Sequence, residues 1–361
     1  MPEPFDRLAS FENLYSAAAQ ARKGKRFKTG AALFHHDLAR NLVRLRDELM
    51  SQTYRPGAYR TFRICEPAER FISAAPYRDR VVHHALCNVT EPLFERSFIF
   101  DSYANRLGKG THRALDRCTS YSRRFRYVLQ CDIRKFFPSI DHQALFELLA
   151  RRIGDEKVLW LIRLIIDSSN EQEPAHFYFP GDNLFTPFGR RKGLPIGNLT
   201  SQFWANVYLE PIDHLVKDHL GVPGYVRYVD DFLLFSNSKD DLHDWRRMIE
   251  RRLEELRLLL NGRKTRLFET REGVAFLGFR VFPTHRLLLP GAVKRARRRL
   301  RRLTQQFAEG RISMSDVRQS VQAWIAHAAH GDTKGLRRRL FGDAVFRARG
   351  HHSGRVVEQQ Q

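Results

Sequence analysis

The 361-residue sequence predicts an α+β fold in which an antiparallel sheet presents carboxylates at its strand ends. Three observations carry that expectation. In the run GYVRYVDDFLLFSN, residues 224–237, apolar stretches flank Asp230-Asp231, with Gly224 before and Ser236-Asn237 after, which reads as two short strands meeting at a tight turn. Tyr127 to Gln130 form a second apolar run of strand length, with Asp132 at its end and a helical pattern starting near His142. Both ends of the chain, in contrast, show apolar residues at helical spacing among many basic ones.

Two adjacent carboxylates repel unless a positive charge neutralises them, and a divalent metal ion does so most strongly. A solvated turn accounts for Tyr228-Val229-Asp230-Asp231 taken alone. Asp132 changes the reading, because a strand-end Asp and a hairpin Asp-Asp can converge on one sheet face. Two Mg²⁺ ions held by such a trio would clamp the attacking and leaving oxygens of an in-line phosphoryl displacement. That is the logic of a template-directed polymerase palm.

The motifs APYRDRVVHHAL, FDSYANRLGKGTHRAL, CDIRKFFPSID, GLPIGNLTSQFWANVYL, YVRYVDDFLLF, LNGRKTRLF and FLGF follow one another between Ala75 and Phe282. In that order they resemble reverse transcriptases of the bacterial group II intron and retroelement type. The resemblance implies a right-hand polymerase fold with fingers, a ferredoxin-like antiparallel palm and a helical thumb. It also implies RNA-templated DNA synthesis from dNTP substrates. Asp132, Ile133, Asp230 and Asp231 form the implied metal set, with Asp231 assisting.

A formal net charge of +22 predicts a polyanionic partner, here template RNA and an RNA/DNA duplex. No stretch is long and apolar enough to span a bilayer and no secretory signal opens the chain, so no membrane role is expected. Cys65, Cys87, Cys118 and Cys131 lack C-x-x-C spacing, which suggests neither a zinc site nor a disulfide framework and fits a reducing cytoplasm.

In chain order, residues 1–55 read as a helical extension with a basic loop at Arg22 to Arg26, serving either to hold template RNA or to brace the palm. Tyr54-Arg55-Pro56-Gly57 marks its end. Residues 56–130 are expected to form the fingers and the start of the palm. There a β-hairpin with a Glu66-Pro67-Ala68-Glu69 turn would set Arg63 and Arg70 over a triphosphate, where bidentate guanidinium contacts suit phosphate oxygens. By resemblance Arg70 is the better phosphate ligand, while Arg78 and Arg80 face template backbone or structural carboxylates. Gly108-Lys109-Gly110 lacks the spacing of a phosphate-cradling P-loop.

Residues 131–285 are expected to hold the palm, with a fingers insertion near 150–195. By resemblance Phe137 packs under the sugar of the incoming nucleotide and leaves no space for a 2′-hydroxyl, so the product is DNA. Phe136 is the decoy, on the argument that neighbours on an extended backbone face opposite ways. The stretch 167–192 is a long polar loop whose role the residues do not reveal. Gly193 and Gly197 allow close backbone approach to a nucleotide, ahead of a helix from Ser201. Most relatives carry Gln where this chain has Ile196, and Pro where it has Gln202.

The I-G-x-x-x-S-Q form resembles reverse transcriptases of diversity-generating retroelements, which copy a template RNA with errors at adenines and work with a small basic ring-forming accessory protein. An apolar Ile196 adds shape contact without a hydrogen bond, which would penalise mismatches less. An amphipathic helix is then expected to run to Asn261-Gly262, followed by Lys264, whose implied role is to help protonate leaving pyrophosphate. Phe276 to Phe279 resembles a primer grip. Residues 286–349 form the basic helical thumb, where Trp324, His327 and His330 suit helix packing better than metal binding. The tail, 350–361, is expected to be disordered.

Rival readings are a retron or phage-defence-type reverse transcriptase, a CRISPR-associated one, and an RNA-binding maturase-like protein with a dispensable active site. The intact carboxylate trio argues against the last.

Overall fold

The computed structural model describes residues 3–65, 69–170, 172–342 and 346–347. The Glu66-Pro67-Ala68 portion of the hairpin turn and the tail from Gly350 lie outside the described residues. The chain divides into two compact units: Met1–Ala114 with Leu129–Leu267, and Leu115–Val128 with the described residues from Phe268 on.

The first unit opens with α1 (Pro4–Ala9), α2 (Phe11–Arg22), α3 (Thr29–His36) and α4 (Leu38–Met50). Their apolar positions recur at helical spacing, and Phe5, Leu8, Leu14, Leu42, Leu45 and Leu49 are buried. Each such side chain contributes about 1.5–3 kcal/mol on burial. The strands β1 (Arg60–Ile64) and β2 (Arg70–Ala74) pair antiparallel and lead into α5 (Tyr77–Glu95), against which α2 packs. Polar ties reinforce that packing: Asn13 Nδ2 donates to the Ala85 carbonyl at 3.0 Å, and the Tyr77 hydroxyl donates to the Ala18 carbonyl at 3.1 Å. The N-terminal helices therefore brace the unit with their apolar face, while residues 22–26 stay exposed. Buried Asp79 fixes the connecting turn, accepting from the Tyr54 hydroxyl at 2.7 Å and the Gly57 N–H at 2.8 Å.

Next come α6 (Thr111–Arg124), β3 (Tyr127–Asp132), the single turn α7 (Phe136–Ser139), α8 (His142–Ala150), α9 (Glu156–Asp167), the short α10 (Thr186–Gly189) and α11 (Leu199–His214). The antiparallel pair β4 (Gly224–Tyr228) and β5 (Asp231–Ser236) precedes α12 (Lys239–Glu255), which packs on β5. With β6 (Arg266–Glu269) the main sheet runs in the order β4-β5-β3-β6.

The expected helix running to Asn261 stops at Glu255 instead. Arg257 takes a left-handed conformation at φ 58°, which ends the helix. Residues 259–261 then bridge the strand-end backbone: the Arg134 N–H donates to the Leu259 carbonyl at 2.8 Å and the Asn261 N–H to the Asp132 carbonyl at 2.7 Å. Helical periodicity in LRLLL thus yields to pairing beside Asp132.

In the second unit, β7 (Val274–Phe276), β8 (Phe279–Val281) and β9 (Arg286–Leu288) form an antiparallel meander. Leu277 and Gly278 both have positive φ at its first turn, the signature of a two-residue hairpin. Three helices follow, α13 (Pro290–Ala308), α14 (Met314–Ala328) and α15 (Lys334–Phe341). The arginine-rich α13 has no buried residue, so its basic face is available. His327 lies against the Phe279 ring at 5.1 Å, in keeping with a packing role.

Asp155 joins two levels of this fold. One carboxylate oxygen caps α9 through the N–H groups of Lys157 and Val158, at 3.0 and 3.1 Å, and the other accepts from the Phe5 N–H at 2.8 Å. Asp155→Ala is expected to cost about 1–2 kcal/mol, as for a lost helix cap, read as a lower urea midpoint. An unchanged midpoint would show that the brace does not depend on this carboxylate.

Candidate active site

The β4–β5 hairpin closes with Tyr228 opposite Asp231, leaving Val229 and Asp230 at the tip. Val229 adopts φ 57°, a conformation costly for a β-branched residue. Arg227 holds it there: its Nη1 donates to the Val229 carbonyl at 3.1 Å and to Asn206 Oδ1 at 3.2 Å. The same guanidinium forks onto Asp213, Nε to Oδ1 at 2.7 Å and Nη2 to Oδ2 at 2.6 Å, and both residues have 0% exposure. The Tyr225 hydroxyl completes the cluster, donating to Asp213 Oδ1 at 2.8 Å. Burial works against the charge on Arg227, but the paired Asp213 carboxylate outweighs it and raises its proton affinity.

A second backbone segment clamps the strand. The Arg227 N–H donates to the Asp101 carbonyl at 2.9 Å and the Tyr103 N–H to the Arg227 carbonyl at 3.0 Å. Thr111 Oγ1 donates to the Tyr228 hydroxyl at 3.2 Å, and Asn206 Nδ2 to the Ala104 carbonyl at 2.9 Å. The FDSYAN run thus supports the hairpin from behind the strand. Neither Arg227 nor Asp213 stands out in sequence. An Arg in a strand whose neighbours are all apolar was the available signal, since a buried charge requires a partner.

Asp132 ends β3, the strand next to β5. Its carboxylate accepts from Lys264 Nζ at 2.9 Å and from Asn261 Nδ2 at 3.1 Å. Asp230 and Asp231 are half-buried beside it. Burial raises both carboxyls above the ordinary range, the Asp132 charge adds to both and that of Asp230 to Asp231, while Lys264 opposes the rise. Asp231 is pushed up to about 7. Ile133 is buried and bridged to Leu260, and the bonds flanking the bridge belong to Asp132 and Arg134.

The expected metal set is not gathered into a ready-made cluster. Among the described residues no group of three or more His, Cys, Asp and Glu is close enough together to hold a metal ion. Asp132 is instead paired with Lys264, Nζ to Oδ1 at 2.9 Å. The donor chemistry nevertheless fits a hard divalent cation, which prefers carboxylate oxygens and would relieve the repulsion that lifts Asp230 and Asp231.

The other expected residues fall into two groups. Arg70 acts on Asp230 electrostatically and favours its charged form. Arg63 does not join it: the register pairs Arg63 with Phe71 and Ile64 with Arg70, so the two guanidiniums leave opposite faces of the hairpin, and Arg63 binds Glu69 at 2.9 Å. Arg78 pairs with Glu48 and lies over the Tyr54 ring, a structural role. Phe136 and Phe137 occupy a helical turn rather than an extended strand, with Phe136 buried and Phe137 half-buried. The two rings meet edge to face, with centroids 5.3 Å apart.

The Ile196 carbonyl accepts from the Ser73 N–H at 2.9 Å, tying this loop to β2. Gly197 has φ 115°, and a Cβ there would lie 2.8 Å from Ile72 Cγ2, so only glycine fits. Asn198 completes the tie, its Oδ1 accepting from the Ala75 N–H at 3.2 Å and its Nδ2 donating to the Ser73 carbonyl at 3.0 Å. Gln202 is exposed on the first turn of α11, which starts at Leu199, ahead of the expected Ser201.

An antiparallel sheet with carboxylates at one strand end and at a neighbouring hairpin tip defines a polymerase palm. Residues 66–281, more than half of the chain, match the family described as reverse transcriptase (RNA-dependent DNA polymerase). The chain belongs to that family, and its enzymatic class is RNA-directed DNA polymerase. It is 25% identical to Protein YkfC of Escherichia coli over 284 residues, covering 68% of this chain and 72% of that one. It is 24% identical to the group II intron-encoded protein LtrA of Lactococcus lactis over 211 residues, 57% of this chain and 33% of LtrA. Among solved structures, truncated apo telomerase from Candida tropicalis aligns at TM-score 0.48 and 12% identity, covering 67% of this chain and 59% of that one. No described helix is long and apolar enough to cross a membrane.

Removing Arg227 as Arg227→Ala leaves Asp213 buried and uncompensated. The expected loss is about 3–5 kcal/mol of stability, measured by urea unfolding. A loss below about 1 kcal/mol, the scale of a surface pair, would contradict the role given to this pair.

Metal binding should depend on pH through Asp231. Its raised value means the folded state holds this proton where the unfolded chain has released it, so the group's stabilising contribution fades as pH rises towards about 7. A divalent ion competes with that proton, so the Tm increase produced by Mg²⁺ is expected to grow between about pH 6 and about pH 8. Asp231→Asn should flatten that growth. A Mg²⁺ effect of equal size at both pH values would count against these carboxylates as ligands.

Proposed function

We propose that this chain copies RNA into DNA from a primer 3′-hydroxyl and dNTP substrates. One observation carries the reading: in a member of the reverse transcriptase family, the Asp132 charge raises the proton affinity of both Asp230 and Asp231, so the three carboxylates lie within electrostatic reach of one another. In this reading Asp132, Asp230, Asp231 and the backbone at Ile133 hold two Mg²⁺ ions. When bound, these ions would supply charge stabilisation to the in-line displacement at the α-phosphate.

The chain's own groups then have distinct tasks. Arg70 faces the triphosphate, and its effect on Asp230 supports that position. Lys264, released from Asp132, places an ammonium where leaving pyrophosphate gathers charge and needs a proton. Phe137 stands under the sugar and excludes a 2′-hydroxyl. The expected boundaries follow: a brace in 1–55, fingers and the start of the palm in 56–130, palm in 131–285 and thumb in 286–349, with α13 gripping duplex phosphates.

Within the family, Ile196-Gly197 and Gln202 favour a diversity-generating role, with copying errors at template adenines. The tie between the Ile196 carbonyl and Ser73 supports it, because a backbone fixed at this point presents the apolar side chain in one position. A template RNA, a small basic accessory protein and the cytoplasm belong to that reading.

Asp132→Ala is expected to abolish synthesis on a primed RNA while RNA binding stays within about twofold, since the lost group is worth more in the transition state than in binding. Retained synthesis would refute the site. Sequencing of the wild-type cDNA should show misincorporation concentrated at adenines, reduced by Ile196→Gln. Accurate cDNA would move the enzyme to the retron or phage-defence class, and an error spectrum unaffected by the substitution would release Ile196 from its role.

A further inference from the structure

A groove in the first unit lies apart from the carboxylate site. It has a volume of about 710 Å³ and lies between the end of α8, the last turns of α11 with the π-helical turn Leu215–His219, and the C-terminal half of α12. Residues of the β4–β5 hairpin do not line it. Arg151 and Arg152 line it just beyond the end of α8 and Arg251 and Arg252 line it from α12, together with Glu210 of α11 and Glu255 of α12.

Both carboxylates are already satisfied. Glu210 accepts from Ser97 Oγ at 2.6 Å and Arg152 Nη1 at 2.9 Å, with His214 Nε2 at 3.5 Å, and Glu255 pairs with Arg252. His214 also meets Asp218 at 2.6 Å; burial opposes its proton, but these carboxylates outweigh burial and raise its proton affinity. Arg151 and Arg251 are different: both are exposed, and neither guanidinium has a partner among the described residues. Four arginines against two carboxylates leave the groove with a surplus of two positive charges before the histidines are counted.

From this arrangement we infer that the α8–α11–α12 groove binds the phosphate backbone of RNA at a point separate from the primer-template site, with Arg151 and Arg251 as the phosphate ligands. Planar guanidiniums from two segments of the chain suit a sugar-phosphate strand better than a point charge would. The groove's volume lies within the ~300–1,000 Å³ range of binding clefts. The inference rests on the reverse transcriptase reading only for the identity of the polyanion. Its role is to hold a flanking part of the template RNA while another part is copied.

The test uses the full chain and two probes: a single-stranded RNA of about 40 nucleotides, several site sizes long, and a short primed template that fills only the catalytic cleft. R151A/R251A is expected to weaken binding of the long RNA about tenfold at low salt and to reduce the slope of log affinity against log salt by about 1.4, the value for two lost contacts on a single strand. Synthesis on the short primed template should be unchanged, and R151K/R251K should recover most of the slope. Because both side chains are exposed, their removal leaves the core intact, which an unchanged Tm confirms. Wild-type affinity and salt slope in R151A/R251A would overturn the groove as an RNA site. Equal losses on both probes would also overturn it, by making the effect one of overall charge. Wild-type protein inactive on the short template would instead strike at the proposed synthesis and leave the binding comparison standing.

Discussion

The buried pair of Arg227 and Asp213 is the constraint on which the site depends. A carboxylate-bearing hairpin tip needs a rigid turn, and Val229 has to sit in a left-handed conformation that its branched side chain resists. Arg227 meets that cost by binding the Val229 carbonyl from below while forking onto Asp213. A neutral side chain could hydrogen-bond the turn, but it could not also bind Asn206 and a paired carboxylate from one planar group. The pair therefore links α11, β4 and the tip into one unit, and the Asp101–Tyr103 backbone locks the outer side of the strand.

Electrostatics then divides the site into two halves. Asp230 and Asp231 keep their protons more tightly than ordinary carboxylates because they are buried beside one another and near Asp132. Asp132 instead has Lys264 and Asn261 on its two oxygens. Lys264 offsets the same repulsion that a divalent ion would relieve, and its side chain is mostly exposed beside Asp132. This ties a residue placed by resemblance near the triphosphate to the metal set itself.

Much of this was legible in the sequence, for identifiable reasons. Asp132 at the end of an apolar run and Asp230-Asp231 between two apolar runs are local signals, and strand ends and tight turns are where local pattern is most informative. The α+β character and the helical ends follow from periodicity of the same kind. What the sequence hid was non-local. The end of α12 depends on a left-handed Arg257 and on pairing with residues 132–134, over a hundred positions away, so LRLLL reads as helix until its partner strand is known. The opposite faces of Arg63 and Arg70 depend on register, which a turn of unknown shape does not fix. The extended backbone expected at Phe136–Phe137 is a helical turn, and the two rings meet rather than face opposite ways. Asp213 was invisible because an Asp in an amphipathic helix ordinarily faces water, and only the strand beside it shows that this one does not.

The proposed role of the converging carboxylates is templated addition of a deoxynucleotide. Its most direct test is single-nucleotide addition by the wild-type chain to a DNA primer on an RNA template, varying the first unpaired template base and the dNTP offered, with and without a chelator. The expected result is extension governed by the template base, with any relaxed choice confined to adenine, and no extension once divalent ions are removed. Extension indifferent to the template base throughout, or extension that persists in the chelator, would contradict it.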